Sequence, residues 1–170
     1  MEQEKSQSSL SWLWLTLVFL MIDQASKYWV ASSMNLYQSI NLLPFFNITY
    51  AQNPGAAFSF LADQPGWQRW FFSLIAMVAS VIFLVWLKRT PKSQPILAVA
   101  LACMLSGALG NLIDRVLFGY VIDFLDFYLG QYHWPTFNIA DSVIFIGAVL
   151  MIIDSFKQDK SSQPDVLKEK

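Results

Sequence analysis

Four long apolar runs divide this chain, and polar segments separate them. The runs lie near residues 10–31, 68–88, 95–115 and 136–156. Each has about the 20 residues that an α-helix needs to cross a bilayer. The pattern predicts a mainly α membrane protein, with a four-transmembrane-helix bundle in a single integral-membrane domain over residues 1–170 and polar tails at 1–9 and 157–170. On pattern alone, the first run could instead belong to a signal peptide.

The longest polar segment, residues 32–66, contains a strand pattern. Residues 46–51 alternate apolar with small or polar side chains, which is typical of a half-buried strand. Asn53-Pro54-Gly55 is a turn sequence, and residues 56–60 have the composition of a second strand. The segment predicts a small extracytoplasmic β-sheet over about residues 42–62. Asn53 could be there only to form the turn.

Composition excludes several classes of protein. Hydrophobic residues make up 55% of the 170, too many for an ordinary soluble domain of this length. The net charge is −1 and the chain has no long basic block, so nucleic-acid binding is not expected. Cys103 is the only cysteine and His133 the only histidine, which excludes a disulfide framework and a histidine-rich metal site. We expect neither a metal nor another cofactor.

The basic residues predict the orientation of the chain in the membrane. Eight of the eleven lysines and arginines lie in the two tails or in the segment 88–92 between the second and third runs. Lysine and arginine are enriched on the cytoplasmic side of membrane proteins. Both termini and the 88–92 segment are therefore predicted to be cytoplasmic. Residues 32–66 and the aromatic-rich link 116–135 are predicted to lie outside.

Charged residues interrupt the apolar pattern near the predicted outer face. Asp23 and Lys27 stand at i,i+4 on one helix face, where they could form a simple ion pair or support a site. Asn111, Asp114 and Arg115 likewise share a face at the end of the third run. Each carboxylate near a bilayer core costs roughly 2.5–3.5 kcal/mol, so such residues tend to be functional.

Asp123 and Asp141 form the candidate catalytic pair. If they approach to about 4 Å at an effective dielectric near 20, their repulsion is about 4 kcal/mol, so one of them holds a proton at neutral pH. The ionised member can then activate water, and the protonated member can polarise a carbonyl group. The alternative is that Asp123 and Asp126 lie in a wet loop and that Asp141 caps a helix. We expect Asp126 to be of minor importance.

Other proteolytic chemistries fit poorly. The chain has no His-Glu-x-x-His zinc motif, no Gly-x-Ser-x-Gly motif and no Asp-Thr-Gly triplet. An aspartyl site would therefore belong to a fold different from that of the pepsin-like proteases.

Five short blocks, in this order along the spans, closely resemble the bacterial lipoprotein signal peptidase (signal peptidase II) family. They are Asp23-Gln24-x-Ser26-Lys27, Asn53-x-Gly55-Ala56-Ala57-Phe58-Ser59, Gly107-Ala108-x-Gly110-Asn111-x-x-Asp114-Arg115, Val121-x-Asp123-Phe124 and Phe137-Asn138-x-Ala140-Asp141-Ser142. The resemblance runs from about residue 10 to residue 155. Each block is weak alone, but five in order are specific.

The resemblance implies an aspartyl endopeptidase of the bacterial inner membrane that cuts lipidated prolipoproteins just before the diacylglyceryl-modified cysteine. By position, Asp123 and Asp141 match the catalytic pair. The surrounding set, for substrate binding or support, is Asp23, Lys27, Asn53, Gly55, Asn111, Asp114, Arg115 and Asn138. We expect a monomer in contact with membrane lipids. Two other classes remain open from the residues alone: a small ion-coupled membrane transporter and a non-catalytic membrane assembly factor.

Overall fold

The computed structural model describes residues 8–55 and 65–162, with side chains as far as residue 157. Four of its helices are long and apolar enough to cross a membrane. A 3₁₀ turn, Ser9–Trp12, leads into the first. The helices are α1 (Leu13–Ser33), α2 (Trp67–Arg89), α3 (Pro95–Leu117) and α4 (Ile139–Ser162). The prediction of four spanning helices is confirmed, while the single-domain organisation stays a prediction.

The central helix is α3, which packs against α1, α2 and α4. Pro95 stands at its first turn, where the missing proline N–H costs no helical hydrogen bond. Gly107 lies against α4 so closely that a Cβ there would collide with the carbonyl oxygen of Ala140. A Cβ on Gly110 would come within 2.6 Å of the Asp23 carboxylate on α1. These glycines let the three backbones approach at the level of the polar side chains.

A four-stranded antiparallel sheet lies at one end of the bundle, in the order β1-β2-β3-β4. Its strands are β1 (Ser39–Leu43), β2 (Phe46–Asn53), β3 (Val121–Leu129) and β4 (Tyr132–His133). The small sheet and the strand at 46–51 are confirmed. The second predicted strand, residues 56–60, lies outside the described residues. The aromatic-rich link instead contains β3 and β4, which local alternation did not predict.

An apolar cluster fixes β3 above α1. It contains Val30 and Met34 from α1, Tyr50 from β2, and Ile122 and Phe124 from β3, all of which are buried. Asp123 lies between two of these anchored residues, so its position depends on the packing of the sheet against α1. Many of the remaining large apolar side chains of α1, α2 and α4 are exposed, as expected for surfaces that face lipid, whereas those of the central helix α3 are exposed only at its end, at Val116 and Leu117.

Candidate active site

Asp123, in β3, is buried among polar side chains at the end of the bundle near the sheet and is only 2% exposed. Its carboxylate accepts hydrogen bonds from the Nδ2 atoms of Asn53 at 3.1 Å and Asn138 at 2.7 Å. Burial, followed by the nearby charge of Asp141, raises the pKa of Asp123 to about 7 against the opposing effect of these hydrogen bonds. A proton on this carboxyl is therefore available near neutral pH.

Asp141 lies in the first turn of α4, and Asn138 caps that helix. The Asn138 side-chain oxygen accepts from the Asp141 N–H at 2.9 Å, as an N-cap residue does. Asn111 on α3 donates from Nδ2 to the Asp141 carboxylate at 2.7 Å. The positive end of the helix dipole favours a negative charge at this position.

Two asparagine side chains connect the candidate pair. Asn138 is fully buried and donates from the same Nδ2 atom to Asp123 and, at 3.2 Å, to the Asn111 oxygen. Asp123 and Asp141 both face one cavity of about 370 Å³. Its other polar lining comes from Asn53, Asn111, Arg115 and Thr136, and its apolar lining includes Val121, Trp134, Phe137, Ile144, Phe145 and Ala148. The predicted pair is therefore brought to one cavity, and Asp123 does not lie in a wet loop. The Asp141 carboxylate also accepts from the Asn138 N–H at 3.4 Å, which is the helix-capping contact of the alternative interpretation.

The predicted Asp23–Lys27 pair is extended by a third charged residue, Asp114. Buried Lys27 places its Nζ 2.9 Å from Asp23 and 3.0 Å from Asp114. The same ammonium donates to the Asn111 oxygen at 3.1 Å, which connects this ion triad to the candidate pair. Gln24, which we did not predict as a site residue, bridges both carboxylates of the triad at 3.1 Å.

The triad also accepts hydrogen bonds from the backbone beside each candidate aspartate. The Ala140 N–H donates to Asp23 at 2.8 Å, and the Ile122 N–H donates to Asp114 at 3.1 Å. These residues immediately precede Asp141 and Asp123. The triad therefore positions α4 and β3 relative to each other.

Arg115 brings the turn after β2 to the cavity. Its Nη2 donates to the Gly55 carbonyl oxygen at 2.8 Å, and its guanidinium lies 5.5 Å from the centre of the Phe72 ring. Asn53 accepts the Gly55 N–H at 3.0 Å, so it forms the predicted turn and also contacts Asp123. All ten predicted site residues thus belong to one connected cluster.

The surroundings of Asp126 differ from the wet loop that one interpretation of the sequence predicted. It is 4% exposed and accepts from Asn47 at 3.0 Å and Thr49 at 2.9 Å, while His133 Nδ1 lies at 2.7 Å. Burial alone would raise the pKa of Asp126, but these hydrogen bonds outweigh it and hold the pKa below its ordinary value. The alternative that Asp126 lies in a wet loop was wrong, because the pairing of β2 with β3 is not visible in the local sequence. The minor importance of Asp126 stays a prediction.

Within residues 8–55 and 65–162, no group of three or more His, Cys, Asp or Glu side chains is arranged to hold a metal ion. The described donors to Asp123 and Asp141 are instead amide groups.

Comparison with known proteins shows which family the chain resembles. The sequence model of the family described as signal peptidase (SPase) II matches residues 15–157. A protein of Alteromonas mediterranea named lipoprotein signal peptidase is 60% identical, over 92% of this chain and 87% of the relative. A protein of the same name from Shewanella amazonensis is 52% identical, over 99% of this chain and all of the relative.

A solved structure of a bacterial membrane enzyme resembles the fold. It superposes with a TM-score of 0.81 at 33% identity, covering 93% of this chain and 94% of the other. A second bacterial membrane enzyme has a TM-score of 0.75 at 30% identity, covering 98% of this chain and all of the other. The family match spans the four helices and the sheet, and with the close relatives it confirms the resemblance drawn from the five blocks: the chain belongs to the signal peptidase II family.

Proposed function

We propose that this protein is an aspartyl endopeptidase that removes signal peptides from diacylglyceryl-modified prolipoproteins, cutting before the lipidated cysteine. Family membership favours a peptidase over a transporter or an assembly factor. The observation that carries the aspartyl assignment is the pair Asp123 and Asp141 in one cavity, with amide groups as their described donors. Neutral donors orient the two carboxyl groups without cancelling their charges.

Asp123 and Asp141 share one proton, and the surroundings of the two carboxyl groups favour placing this proton on Asp123. Asp141, at the start of α4, then acts as the general base and takes a proton from water while the water oxygen bonds to the scissile carbonyl carbon. Asp123 gives its proton to the carbonyl oxygen. In the second step the carbon–nitrogen bond breaks as the leaving nitrogen takes the proton that Asp141 received from water. One hydroxyl group of the intermediate returns its proton to Asp123 as the carbonyl group re-forms, so the pair again holds one proton. The products are the carboxyl end of the signal peptide and a free amino group on the cysteine.

The cavity suits a substrate that arrives through the lipid. Ile144, Phe145 and Ala148 extend its lining along α4 into the apolar span, and Phe145 is 70% exposed on the outer surface of the bundle. An apolar signal helix and acyl chains can enter sideways at this point. The scissile bond then lies at the end of the bundle, where the carboxyl groups are.

The orientation and location of the protein follow from the same basic residues. Lys88 and Arg89 end α2, and Lys92 lies in the link to α3, at the end of the bundle opposite the sheet. We therefore infer a multi-pass protein of the bacterial inner membrane with cytoplasmic termini and the active site at the outer face. One bundle holds all the candidate site residues, which favours a monomer.

The test is cleavage of a purified preprolipoprotein in its lipidated and unlipidated forms, with EDTA present. We expect cleavage of the lipidated form alone, directly before the modified cysteine. An Asp123→Asn protein prepared in parallel should be inactive, which would rule out a contaminating protease. Loss of activity in EDTA with recovery on adding zinc would contradict the proposal of a metal-free aspartyl site.

A further inference from the structure

A second cavity adjoins the candidate active site on the side of the sheet. It measures about 550 Å³ and is lined in part by Trp134, Pro135 and Thr136. The same three residues line the cavity that contains Asp123 and Asp141. The two cavities therefore lie on either side of one short segment, which we call the wall.

The wall is fixed to β3 at both ends. The Trp134 N–H donates to the Phe127 carbonyl oxygen at 2.8 Å, and the Phe137 carbonyl oxygen accepts from the Phe124 and Leu125 N–H groups at 2.9 and 2.8 Å. A substrate chain that runs from the active-site cavity to the second cavity therefore passes over the wall, which these hydrogen bonds hold in place. An extended chain advances about 3.3 Å per residue, so only a few residues are needed to reach from one cavity to the next.

The second cavity is lined by polar groups that a buried carboxylate holds in place. Asp126 accepts from Thr49 and lies 2.7 Å from His133 Nδ1, and the Thr49 hydroxyl lies 2.8 Å from the Ser39 hydroxyl. The His133 ring also stacks on Tyr128, with ring centres 5.0 Å apart. Hydroxyl and imidazole groups can donate to and accept from a peptide backbone.

The two cavities differ in what they can bind. The active-site cavity continues along α4 into the apolar span. The second cavity is lined by one residue from each of the four strands and by the wall, and no residue of the long helices lines it. A prolipoprotein differs in the same way on the two sides of the cleaved bond, because the apolar signal peptide precedes it and the chain of the mature protein follows it.

We propose that the cavity lined by Ser39, Thr49, Asp126, His133 and the wall binds the first residues of the mature protein, on the far side of the lipidated cysteine. This inference rests on the proposed function and adds a subsite to it. The ligand is an extended polypeptide held through its backbone and polar side chains.

The experiment compares two synthetic lipopeptides with the same signal sequence and diacylglyceryl cysteine. The short peptide ends one residue after the cysteine, and the long peptide continues for six more residues. With the full-length protein in detergent micelles, we expect the long peptide to have a KM about tenfold lower, the effect of about two ordinary hydrogen bonds.

Ser39→Trp fills the second cavity and provides the decisive variant. We expect it to raise the KM of the long peptide about tenfold, so that the advantage over the short peptide disappears. Ile40→Trp is the matched control, since the next residue of β1 points to the opposite face of the strand. It should keep the wild-type ratio of the two KM values, and turnover of the short peptide by each variant reports that the fold is intact.

Each other outcome has a defined meaning. Equal KM values for the two peptides with the wild-type protein would overturn the subsite while leaving the proposed function standing. A Ser39→Trp effect of the same size on both peptides would also overturn it, since the cavity would then hold a part that both share, such as the lipid. Failure of the wild-type protein to cut either peptide would instead count against the proposed function itself.

Discussion

Two groups of buried acidic residues lie side by side in this bundle, and they differ in how their charge is balanced. Asp23 and Asp114 flank the ammonium of Lys27 at 2.9 and 3.0 Å. Asp123 and Asp141 instead receive amide hydrogen bonds, and the pKa of Asp123 rises to about 7 because of its burial and the charge of Asp141. The first group has the composition of a structural ion triad, whereas we propose that the second keeps a proton that can be transferred.

Hydrogen bonding alone therefore does not distinguish the two groups. Both are well supplied with donors and both are buried, yet of these two groups only the triad has a cation within 4 Å of its carboxylates. A buried carboxylate with a matched cation contributes to structure, and a buried carboxyl pair with neutral donors is suited to acid–base chemistry. The comparison can be tested by changing one group at a time.

The largest effect is expected on removing a proton site from the candidate pair. Asp123→Asn and Asp141→Asn should each lower kcat by about two to four orders of magnitude, the usual contribution of positioned acid–base catalysis. The double variant should lose little more, because the two residues act as a unit. Steady-state kinetics on a lipidated peptide measure this.

Asp114→Asn is the matched control for that experiment, as it changes an equally buried aspartate of the ion triad. We expect it to lower stability more than kcat. Near-normal cleavage by either the Asp123 or the Asp141 variant would exclude the pair as the catalytic centre.

The next effect concerns the stability supplied by Lys27. Lys27→Met leaves Asp23 and Asp114 buried without their cation, and we expect a loss of about 3–5 kcal/mol in the free energy of unfolding. Denaturant unfolding in detergent micelles measures it. A triple variant that also carries Asp23→Asn and Asp114→Asn removes the uncompensated charges and should recover much of the loss. If Lys27→Met alone unfolds at the wild-type midpoint, the triad has no structural role.

A smaller effect is expected at Arg115. Its guanidinium contacts the Gly55 carbonyl oxygen at 2.8 Å and the Phe72 ring, and lysine cannot reproduce both contacts. Arg115→Lys should lower kcat/KM about tenfold, the effect of one charged hydrogen bond, while the net charge is kept. Unchanged kinetics on the lipidated peptide would show that Arg115 only anchors the helix at the interface.

The sequence predicted the parts of this molecule that depend on local pattern. The apolar runs predicted the four helices, and the i, i+3, i+4 spacing placed Asn111, Asp114 and Arg115 on one helix face. The strands were harder to predict from local pattern. Most of β3 is buried on both faces, so its residues do not alternate, and every residue of β1 is exposed.

The surroundings of Asp126 could not be predicted for the same reason. Its partners Asn47 and Thr49 lie 79 and 77 residues away along the chain. No local pattern records a pairing over that distance. The cavity beside it and the wall at residues 134–136 depend on the same pairing, which explains why the sequence indicated the candidate catalytic pair but not the subsite proposed next to it.

Titration of Asp123 tests the central claim most directly. Difference infrared spectroscopy follows the carbonyl band of a protonated carboxyl group, which should be present at acidic pH and disappear as the pH rises through about 7. The band should be absent from Asp123→Asn. In Asp141→Asn the pKa of Asp123 should fall, because a like charge has been removed, but stay above 3.8 because burial remains. Because ordinary Asp and Glu side chains titrate near pH 4, the diagnostic window is pH 5 to 8. A wild-type protein whose carboxyl band changes no more than that of Asp123→Asn in this window would contradict the claim that this pair shares a proton.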